Sequence, residues 1–367
     1  MKIKISKETI KNAVEKMNVG AGETIAIMVS EQVNDKGLST CMLLSSNGNV
    51  QAQSMFLAKV TKESGETMLK TYVSKDFKEL IFAMTKDSEG DVELEFSDKE
   101  VKVMCGGTKC KLPLKEDGVC LAGTAPTGVI RVKADKFRRA VLCGGTSFGG
   151  VGENFKDSLG VKDEDGKLSF VSTNGVNLAK ASVEYTVVNG TVPADVLTLN
   201  APQFVSIANK VSQEDINIGF MEGIIAIFDG NDVYLLKHSA LSFPYGVSTI
   251  VAKAEEYDFT FKVSRKALFN AMTVATITAA EKKKVKLLTE SGKLTVADTN
   301  KENRSAVVLK DLKGEAEESC LGVDAMKVLL NTSADEEVEF RGKNDSKAAI
   351  YMLSPEGTAV VMKIKEA

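Results

Sequence analysis

Two stretches of the chain, Gly166-Lys-Leu-Ser-Phe-Val-Ser-Thr-Asn174 and Gly292-Lys-Leu-Thr-Val-Ala-Asp-Thr-Asn300, match at five of nine positions and begin 126 residues apart. Asn47-Gly48-Asn49-Val50 is a fainter counterpart 118 residues further upstream. In each stretch a turn is followed by an alternating strand, which is typical of a β-hairpin arm. The recurrence predicts an internal repeat of roughly 125 residues.

Six amphipathic segments recur with a similar period. Each carries apolar residues at i, i+3, i+4 and, in the longer segments, i+7, the spacing that places one stripe of a helix on a core. The stripes cover residues 10–17, 77–84, 137–144, 204–211, 268–275 and 326–330. Candidate N-caps precede four of the helices, and a proline stands in the first turn of one. These residues are Ser6, Ser74, Asn200 and Ser264, with Pro202 as the proline.

An acidic turn and a period-2 strand follow the second helix of each pair, at residues 91–96, 215–220 and 336–340. Each third of the chain is therefore predicted to contain a helix, strands, a second helix and further strands, in that order. We predict an α+β fold of three repeated domains, each with two helices packed on antiparallel sheets, over residues 1–124, 125–251 and 252–367. A two-domain protein with coincidental periodicity is the alternative.

Composition indicates a folded chain without a strong charge bias. Of 367 residues, 43% are apolar and 26% charged, close to the average globular protein. The net charge of −3 means that contact with nucleic acid would need local clustering of the 47 Lys and Arg residues. Because there is no Trp and only 6% of residues are aromatic, a stacking platform for single strands is disfavoured.

The sequence also bears on location. The N-terminus MKIKIS opens no apolar segment with a cleavage site, and no apolar run is long enough to span a membrane. Six scattered cysteines in a chain of this size favour reduced thiols. We therefore expect a cytoplasmic protein.

Three segments carry a family resemblance. Leu168-Ser-Phe-Val-Ser-Thr-Asn-Gly-Val-Asn-Leu-Ala179 resembles the segment Leu-x-x-Val-Ala-Thr-Asp-Gly-His-Arg-Leu-Ala of the bacterial DNA polymerase III β subunit, the sliding clamp. Ser242-Phe-Pro-Tyr245 is similar to its Gly-Arg-Phe-Pro-Asp-Tyr, and Ala359-Val-Val-Met-Lys-Ile-Lys365 to its terminal Tyr-Val-Val-Met-Pro-Met-Arg-Leu. With the length and order of elements, the likeness extends over essentially the whole chain.

The resemblance implies a non-enzymatic processivity factor. Two copies would close head to tail into a ring, domain 1 of one chain meeting domain 3 of the other, with helices lining a hole for duplex DNA. Short linear peptides of the polymerase, the clamp loader and repair proteins would bind an apolar groove between domains 2 and 3. No cofactor or metal is implied.

A ring that slides needs contacts to phosphates rather than bases, so Lys and Arg opposite the apolar stripes are the candidates. Projection of each helix at about 100° per residue selects ten of them. Acidic residues such as Glu8, Glu15, Glu79 and Asp135 share these faces, so the lining should be only moderately positive. A solvated helix face is the alternative explanation for each. The ten are Lys11, Lys75, Lys78, Lys136, Arg138, Arg139, Lys210, Arg265, Lys266 and Lys327.

The resemblance also implies, position by position, the residues of the peptide groove. They are Thr173, Gly175, Leu178, Pro244, Val247, Val360, Val361, Met362 and Ile364.

Departures from the family concern the polar rim of this groove. The family's His-Arg pair is Val176-Asn177 here, its Asp after the proline is missing, and its following Arg positions are Val247 and Ser248. Its Met-Pro is Met362-Lys363. We expect an apolar groove with altered rim chemistry and a different cognate peptide. Alternatively, Val360 to Met362 are only the core face of an edge strand.

Other function classes rest on weaker patterns. The single histidine, His238, could pair with Cys143 or Cys320 in an enzyme, but no local motif supports this. The glycine-rich stretch of residues 144–152 lacks the ending of a phosphate-binding loop and follows a helix, so we expect a loop. A diverged, clamp-like paralogue that holds a different partner is the nearer alternative.

Overall fold

The chain divides into two compact units, each with its own antiparallel sheet. The structure, a computed structural model, describes residues 1–62, 69–145, 157–277, 284–290, 292–298, 304–314, 316–345 and 347–363. Unit 1 comprises residues 1–131, 187–191 and 210–237. Unit 2 comprises residues 132–186, 192–209 and 238–367.

The sheets are built from 25 strands in the described residues, numbered here in chain order. The first thirteen are β1 (Lys2–Ile5), β2 (Thr24–Val33), β3 (Ser39–Ser46), β4 (Val50–Thr61), β5 (Leu69–Ser74), β6 (Val92–Phe96), β7 (Glu100–Cys105), β8 (Thr108–Lys115), β9 (Gly128–Lys133), β10 (Ser158–Glu164), β11 (Lys167–Thr173), β12 (Asn177–Glu184) and β13 (Thr186–Gly190). The others are β14 (Leu197–Asn200), β15 (Asp215–Met221), β16 (Ile224–Asp229), β17 (Asp232–Lys237), β18 (Phe259–Ser264), β19 (Lys284–Glu290), β20 (Lys293–Ala297), β21 (Arg304–Lys313), β22 (Ser319–Gly322), β23 (Glu337–Gly342), β24 (Ala349–Leu353) and β25 (Gly357–Met362).

Each sheet joins strands from two thirds of the sequence. The sheet of unit 1 has the order β1-β6-β7-β8-β5-β2-β3-β4-β17-β16-β15-β9-β13, and that of unit 2 has the order β14-β10-β11-β12-β25-β24-β23-β18-β21-β20-β19-β22. In unit 1, β4 pairs with β17, Val50 lying opposite Leu236. In unit 2, β12 pairs with β25, Ala181 lying opposite Gly357. The middle third thus gives strands to both sheets, and the proposed three-domain boundaries stay a prediction.

Within the described ranges, six α-helices occupy the six predicted positions. Their buried residues follow the predicted apolar stripes, as in α1, where Ile10, Ala13, Val14 and Met17 are buried. None of the helices in the described ranges has the length and apolar run needed to cross a lipid bilayer. The helices are α1 (Lys7–Gly20), α2 (Asp76–Lys86), α3 (Ala134–Gly144), α4 (Ala201–Ala208), α5 (Arg265–Ile277) and α6 (Val323–Leu330).

The helices contact one another in consecutive pairs, α1 with α2, α3 with α4 and α5 with α6. In the core beneath α3 and α4, the ring centroids of Phe137 and Phe204 lie 5.7 Å apart, edge to face. Phe261 and Phe340 stack 5.5 Å apart in the last third. Aromatic pairs in these arrangements add about 0.5–1.5 kcal/mol beyond the area they bury. The predicted α+β fold with repeated helix pairs is confirmed.

One basic residue of the first helix binds the C-terminal end of the second helix in every pair. The Nζ of Lys7 donates to the carbonyl oxygen of Ser88 at 2.7 Å, just beyond α2. The Nε of Arg138 donates to the carbonyl oxygen of Ala208 at 3.2 Å. Arg265 donates to the carbonyl oxygen of Asp335 at 2.9 Å and to that of Leu330 at 3.5 Å. Cations stabilise the last carbonyls of a helix, which lack partners within it.

Details of the caps and helix ends differ from the sequence prediction. Ser6 and Asn200 accept the expected bonds from Thr9 and Gln203, and Ser264 accepts one from Ala267. The prediction for Ser74 was wrong, because α2 begins one residue later, after Lys75, and no side chain caps it. The Oγ of Ser74 donates instead to Asp76. Helix α4 ends at Ala208, before the last residue of its predicted stripe.

A 3₁₀ helix over Tyr245–Glu255 was not predicted. It changes the surroundings of β11, which is buried on both faces instead of alternating. One face packs on α3, and on the other Val171 packs with residues of the 3₁₀ helix. This helix therefore forms a third layer over part of the sheet in unit 2.

We expect Arg265→Met to loosen the end of α6, because the carbonyl groups of Leu330 and Asp335 lose a charged donor. A hydrogen bond to a charged group contributes about 1.5–3 kcal/mol, so amides of α6 should exchange with deuterium at least tenfold faster. Lys266→Met is the matched control, since its exposed side chain has no partner among the described residues. Equal exchange rates in the two variants would contradict the capping role.

Candidate functional site

In unit 1, two of the predicted DNA-facing lysines gather around Glu15. The Nζ of Lys210 lies 2.5 Å from Oε1 of Glu15. This hydrogen bond lowers the pKa of Glu15, and the charges of Lys16 and Lys11 lower it further. Because Lys210 is paired, most of its charge is already compensated within the protein.

The start of α2 compensates two more lysines. Lys75 pairs with Glu23 at 2.8 Å, and the hydrogen bond to this carboxylate raises the pKa of Lys75. The Nζ of Lys78 donates to Oδ1 of Asn18 at 2.6 Å, which joins α2 to the last turn of α1. Both ammonium groups are thus held at the protein surface by local partners.

In unit 2, four of the six predicted basic residues are engaged. Arg138 and Arg265 bind helix-terminal carbonyls, as described above. Arg139 pairs with Glu356 at 3.2 Å. The Nζ of Lys327 lies 5.5 Å above the ring of Phe269, within the range of a cation–π contact.

Three of the ten predicted residues have no ion pair or hydrogen bond with the part of the chain that the structure describes. They are Lys11, Lys136 and Lys266, one on the first helix of each pair. Lys136 and Lys266 are exposed, and Lys11 is half-buried. An unpaired lysine on a rigid helix can contact a phosphate without first giving up a partner within the protein.

The predicted groove residues Leu178, Val247 and Val360 meet in one apolar cluster of unit 2. Leu178 and Val360 are opposite each other on β12 and β25. Val247, on the 3₁₀ helix, is half-buried. The cluster is completed by Val171, Phe243, Ala254, Ala349 and Tyr351, with Val196, Tyr245, Ile250, Val251 and Leu353 half-buried at its edge.

Thr173 and Gly175 shape the turn between β11 and β12. The Oδ1 of Asn174 accepts the backbone N–H groups of Val176 and Asn177, and Gly175 donates its N–H to Oγ1 of Thr173. Gly175 has a φ of +83°, in the left-handed region that favours glycine. The turn meets the end of β25, because Met362 donates its N–H to the carbonyl oxygen of Val176.

The remaining predicted groove residues lie in different environments. Met362 is partly exposed and lines a cavity of about 300 Å³ with Ile250, Ala349 and Tyr351. Pro244 is half-buried and is the residue directly before the 3₁₀ helix. Val361 is fully buried on the opposite face of β25, in the core that contains α5 and α6, because successive strand residues face opposite ways. It therefore has no surface to offer a peptide.

The sequence prediction did not include most of the residues on the other side of this apolar cluster. Ile250, Val251 and Tyr351 line the cluster or its cavity, and none was selected. A signal was present, since Val247, Ile250, Val251 and Ala254 have the spacing i, i+3, i+4, i+7 of a helix. Ile364 lies outside the described residues, as do residues 146–152 of the glycine-rich stretch.

The departure at Asn177 has a structural counterpart. This side chain is buried, and its Nδ2 donates to the carbonyl oxygen of Ala325 in α6 at 3.1 Å. The position at which the family carries an arginine thus holds a short amide directed into the protein. The rim loses a positive charge there.

The described residues give little support for catalytic chemistry. Within these ranges no three His, Cys, Asp or Glu side chains are arranged to hold a metal ion. Burial raises the pKa of the Cys143 thiol to about 12 and lowers the pKa of His238. Cys143 is therefore a neutral thiol at physiological pH, which is the opposite of an activated nucleophile.

Comparison with known proteins identifies the fold. No protein-family model matches the chain, and no curated protein does. Among solved structures, the DNA polymerase sliding clamp from Pseudomonas aeruginosa with ligand matches with a TM-score of 0.81 at 16% identity. The β clamp of Helicobacter pylori bound to a DNA ligase peptide matches with a TM-score of 0.79 at 15% identity. Both matches cover 100% of this chain and of the other. The chain thus has, over its whole length, the fold of the bacterial DNA polymerase III β subunit, the sliding clamp.

Proposed function

We propose that this protein is a sliding clamp, a non-enzymatic ring that encircles duplex DNA and tethers a DNA polymerase and other partners. The observation that carries the proposal is the full-length fold match, which covers 100% of both chains. A partial match would leave room for other assemblies. The three helix pairs, repeated along the chain, are the second support.

The charge distribution suits a ring that holds DNA loosely. Seven of the ten predicted DNA-facing residues have partners within the protein, and Lys11, Lys136 and Lys266 make no ion pair or hydrogen bond with the described residues, although Lys11 lies near the paired carboxylate of Glu15. Few phosphate contacts give weak binding that carries no sequence information. Such a ring would be retained by its closed topology, and sliding would meet little resistance.

We further propose a head-to-tail homodimer, which two incompletely paired strands support. In unit 1, β8 pairs with β7 through Pro113, but with β5 only at Leu114 and Lys115. In unit 2, β21 pairs with β20 over Arg304–Val308, but with β18 only from Leu309 onwards. Each strand thus has a stretch with one unpaired edge in the described structure. Such edges tend to pair with another chain.

The surface beside the open part of β21 is apolar. Val308 is 67% exposed and Val274 on α5 is 51% exposed. A cavity of about 530 Å³ lies between them, lined by Ala267, Ala271 and Val307 among others. The open edge of β8 is a different surface from that of β21, so their pairing is heterologous and can close a ring.

The apolar cluster around Val247, Tyr351 and Val360 is the proposed site for partner peptides. An extended peptide needs exposed apolar walls with few polar groups, and the half-buried residues at the edge of this cluster provide them. The matching Helicobacter pylori clamp holds a DNA ligase peptide. We propose that the polymerase and the clamp loader of this protein's host bind here.

A diverged paralogue with a different partner is a second candidate, favoured by the inward-facing amide of Asn177. Its ring and dimer would be the same, and only its partners would differ. Affinity capture from host extract separates the two functions. Replication proteins should co-purify with a replicative clamp, whereas a paralogue would retain other proteins and leave the polymerase behind.

Encirclement is tested by loading the protein with a clamp loader onto nicked circular duplex DNA and washing with high salt. A closed ring should stay on the circle, because electrostatic contacts are screened while the topology is intact. Cutting the circle once should release it within minutes by sliding off the end. Loss from the circle at high salt, or retention after cutting, would exclude a sliding ring.

Lys11, Lys136 and Lys266 are tested together, because none of them makes an ion pair or hydrogen bond with the described residues. In Lys11→Gln, Lys136→Gln, Lys266→Gln, the dependence of duplex affinity on salt should weaken by up to about three counterions per chain, since the slope is about −0.9 for each phosphate contact. The control replaces the exposed Lys36, Lys99 and Lys237, which lie in turns or on strands. An equal change of slope in both variants would refute the assignment to the helix faces.

The dimer is tested by Val308→Glu, which places a carboxylate in the proposed interface. An unpaired charge in an interface costs about 3 kcal/mol or more, so the dimer dissociation constant should rise at least a hundredfold in sedimentation equilibrium. Val33→Glu is the control, because Val33 is 57% exposed on unit 1, away from β8. A fully dimeric Val308→Glu variant would contradict the proposed interface.

A further inference from the structure

One edge strand of unit 1 has a free side. Strand β13 (Thr186–Gly190) is the last strand of its sheet, and β9 is its one neighbour among the described residues. All five of its residues are exposed, with Val187 and Val188 at 54% and 47%. Because successive strand residues face opposite ways, the two valines make both faces of β13 apolar. The strand thus presents free backbone donors and acceptors between uncovered aliphatic side chains.

The equivalent strands in the other two thirds of the chain carry charge. In each third, one strand runs beside the first strand of that third, namely the end of β4 beside β1, β13 beside β9, and the end of β21 beside β18. The end of β4 carries Lys59, and the end of β21 carries Lys310, Asp311 and Lys313. Charged side chains, lysine above all, oppose the addition of a strand to a sheet edge. Of these three strand ends, β13 alone has no charged residue.

The uncharged stretch extends beyond the strand itself. Residues 185–194 contain no Asp, Glu, Lys or Arg. Glu184, just before this stretch, pairs with Lys167 at 3.5 Å, and Tyr185 donates its hydroxyl to Asp163. A strand added to β13 would therefore meet apolar side chains and no uncompensated charge.

A second copy of β13 fits this edge. Since β13 carries no charge, two copies can lie antiparallel without placing like charges opposite each other, which would be destabilising. Two copies of the end of β21 would instead bring lysines together. Antiparallel pairing also sets the Val187-Val188 dipeptide of one chain against that of the other, which removes apolar surface from water. The same surface serves both chains, so the contact is isologous and joins two chains only.

We propose that β13 is a self-association surface, at which two chains pair antiparallel and extend their sheets into each other. It is separate from the proposed dimer interface, which uses β8 and β21. A ladder of five residues buries less than the roughly 1,200 Å² of stable complexes, so the dissociation constant should be about 0.1 mM or higher. Such a contact acts where chains are concentrated, as for several rings on one stretch of duplex under the proposed function.

The association is measured by sedimentation equilibrium of the full-length chain at concentrations up to about 1 mM. The average mass should rise above that of the homodimer, because each homodimer carries two β13 edges. In Val188→Lys, a lysine of each chain faces the contact, so the dissociation constant should rise at least about tenfold. Val119→Lys is the matched control, since Val119 is 55% exposed and lies outside any strand. It should associate like the unaltered chain.

Hydrogen exchange locates the contact. Amides of β13 should exchange with deuterium more slowly in the concentrated sample than in the dilute one, because a paired edge donates its free N–H groups. Amides at the charged ends of β4 and β21 should exchange equally in both samples. Val188→Lys should remove the protection of β13, and circular dichroism establishes that the fold of each variant is intact.

Three results would overturn the inference: no species larger than the homodimer at the highest concentration, equal association of Val188→Lys and the unaltered chain, or unchanged exchange at β13. The proposed ring is judged separately with Val308→Glu. In this variant the ring interface is disrupted, yet β13 should still join two chains at high concentration. A Val308→Glu chain that stays monomeric there would likewise count against self-pairing of β13.

Discussion

Two backbone ladders, β4 with β17 and β12 with β25, are the interactions on which the rest of the structure depends. Each joins strands from neighbouring thirds of the sequence, Val50 to Leu236 in one and Ala181 to Gly357 in the other. A strand left unpaired exposes a row of backbone donors and acceptors. Pairing across the thirds removes four such edges and builds a continuous sheet in each unit. A side chain at Gly357 would collide with the backbone of Lys180, which explains a glycine at this contact.

Once the strands are paired in this way, the helices have one apolar face to bury and one to leave exposed. The basic residues of the helices have different roles. Lys7, Arg138 and Arg265 stabilise the ends of neighbouring helices, and others neutralise carboxylates such as Glu15 and Glu23. Lys136 and Lys266 make no ion pair or hydrogen bond with the residues that the structure describes.

The groove illustrates how a site is assembled from distant segments. Leu178 and Val360 come together through the β12–β25 ladder, and the 3₁₀ helix Tyr245–Glu255 adds the other wall. Two further segments contribute Lys253 and Lys347 to the lining of the adjoining cavity.

The sequence by itself determined the local elements and their repetition. Apolar stripes such as Ile10 to Met17 predicted the six α-helices of the described residues, because the helical period can be recognised within a short stretch of sequence. Through the family resemblance it also grouped Leu178, Val247 and Val360, which lie in one apolar cluster. It could not separate Arg138, which binds a helix end, from Lys136, which is exposed, since both lie on the polar side of α3.

Only the tertiary structure decided which surface each residue shares with distant segments. It placed Val361 in the core and Ile250 and Tyr351 at the apolar cluster, and within the described residues it left part of β8 and part of β21 unpaired on one side. The burial of Val361 and the assembly of the groove depend on the pairing of β12 with β25, strands more than a hundred residues apart. A local sequence pattern predicts whether a residue is buried. Which residues it packs against depends on the fold of the whole chain.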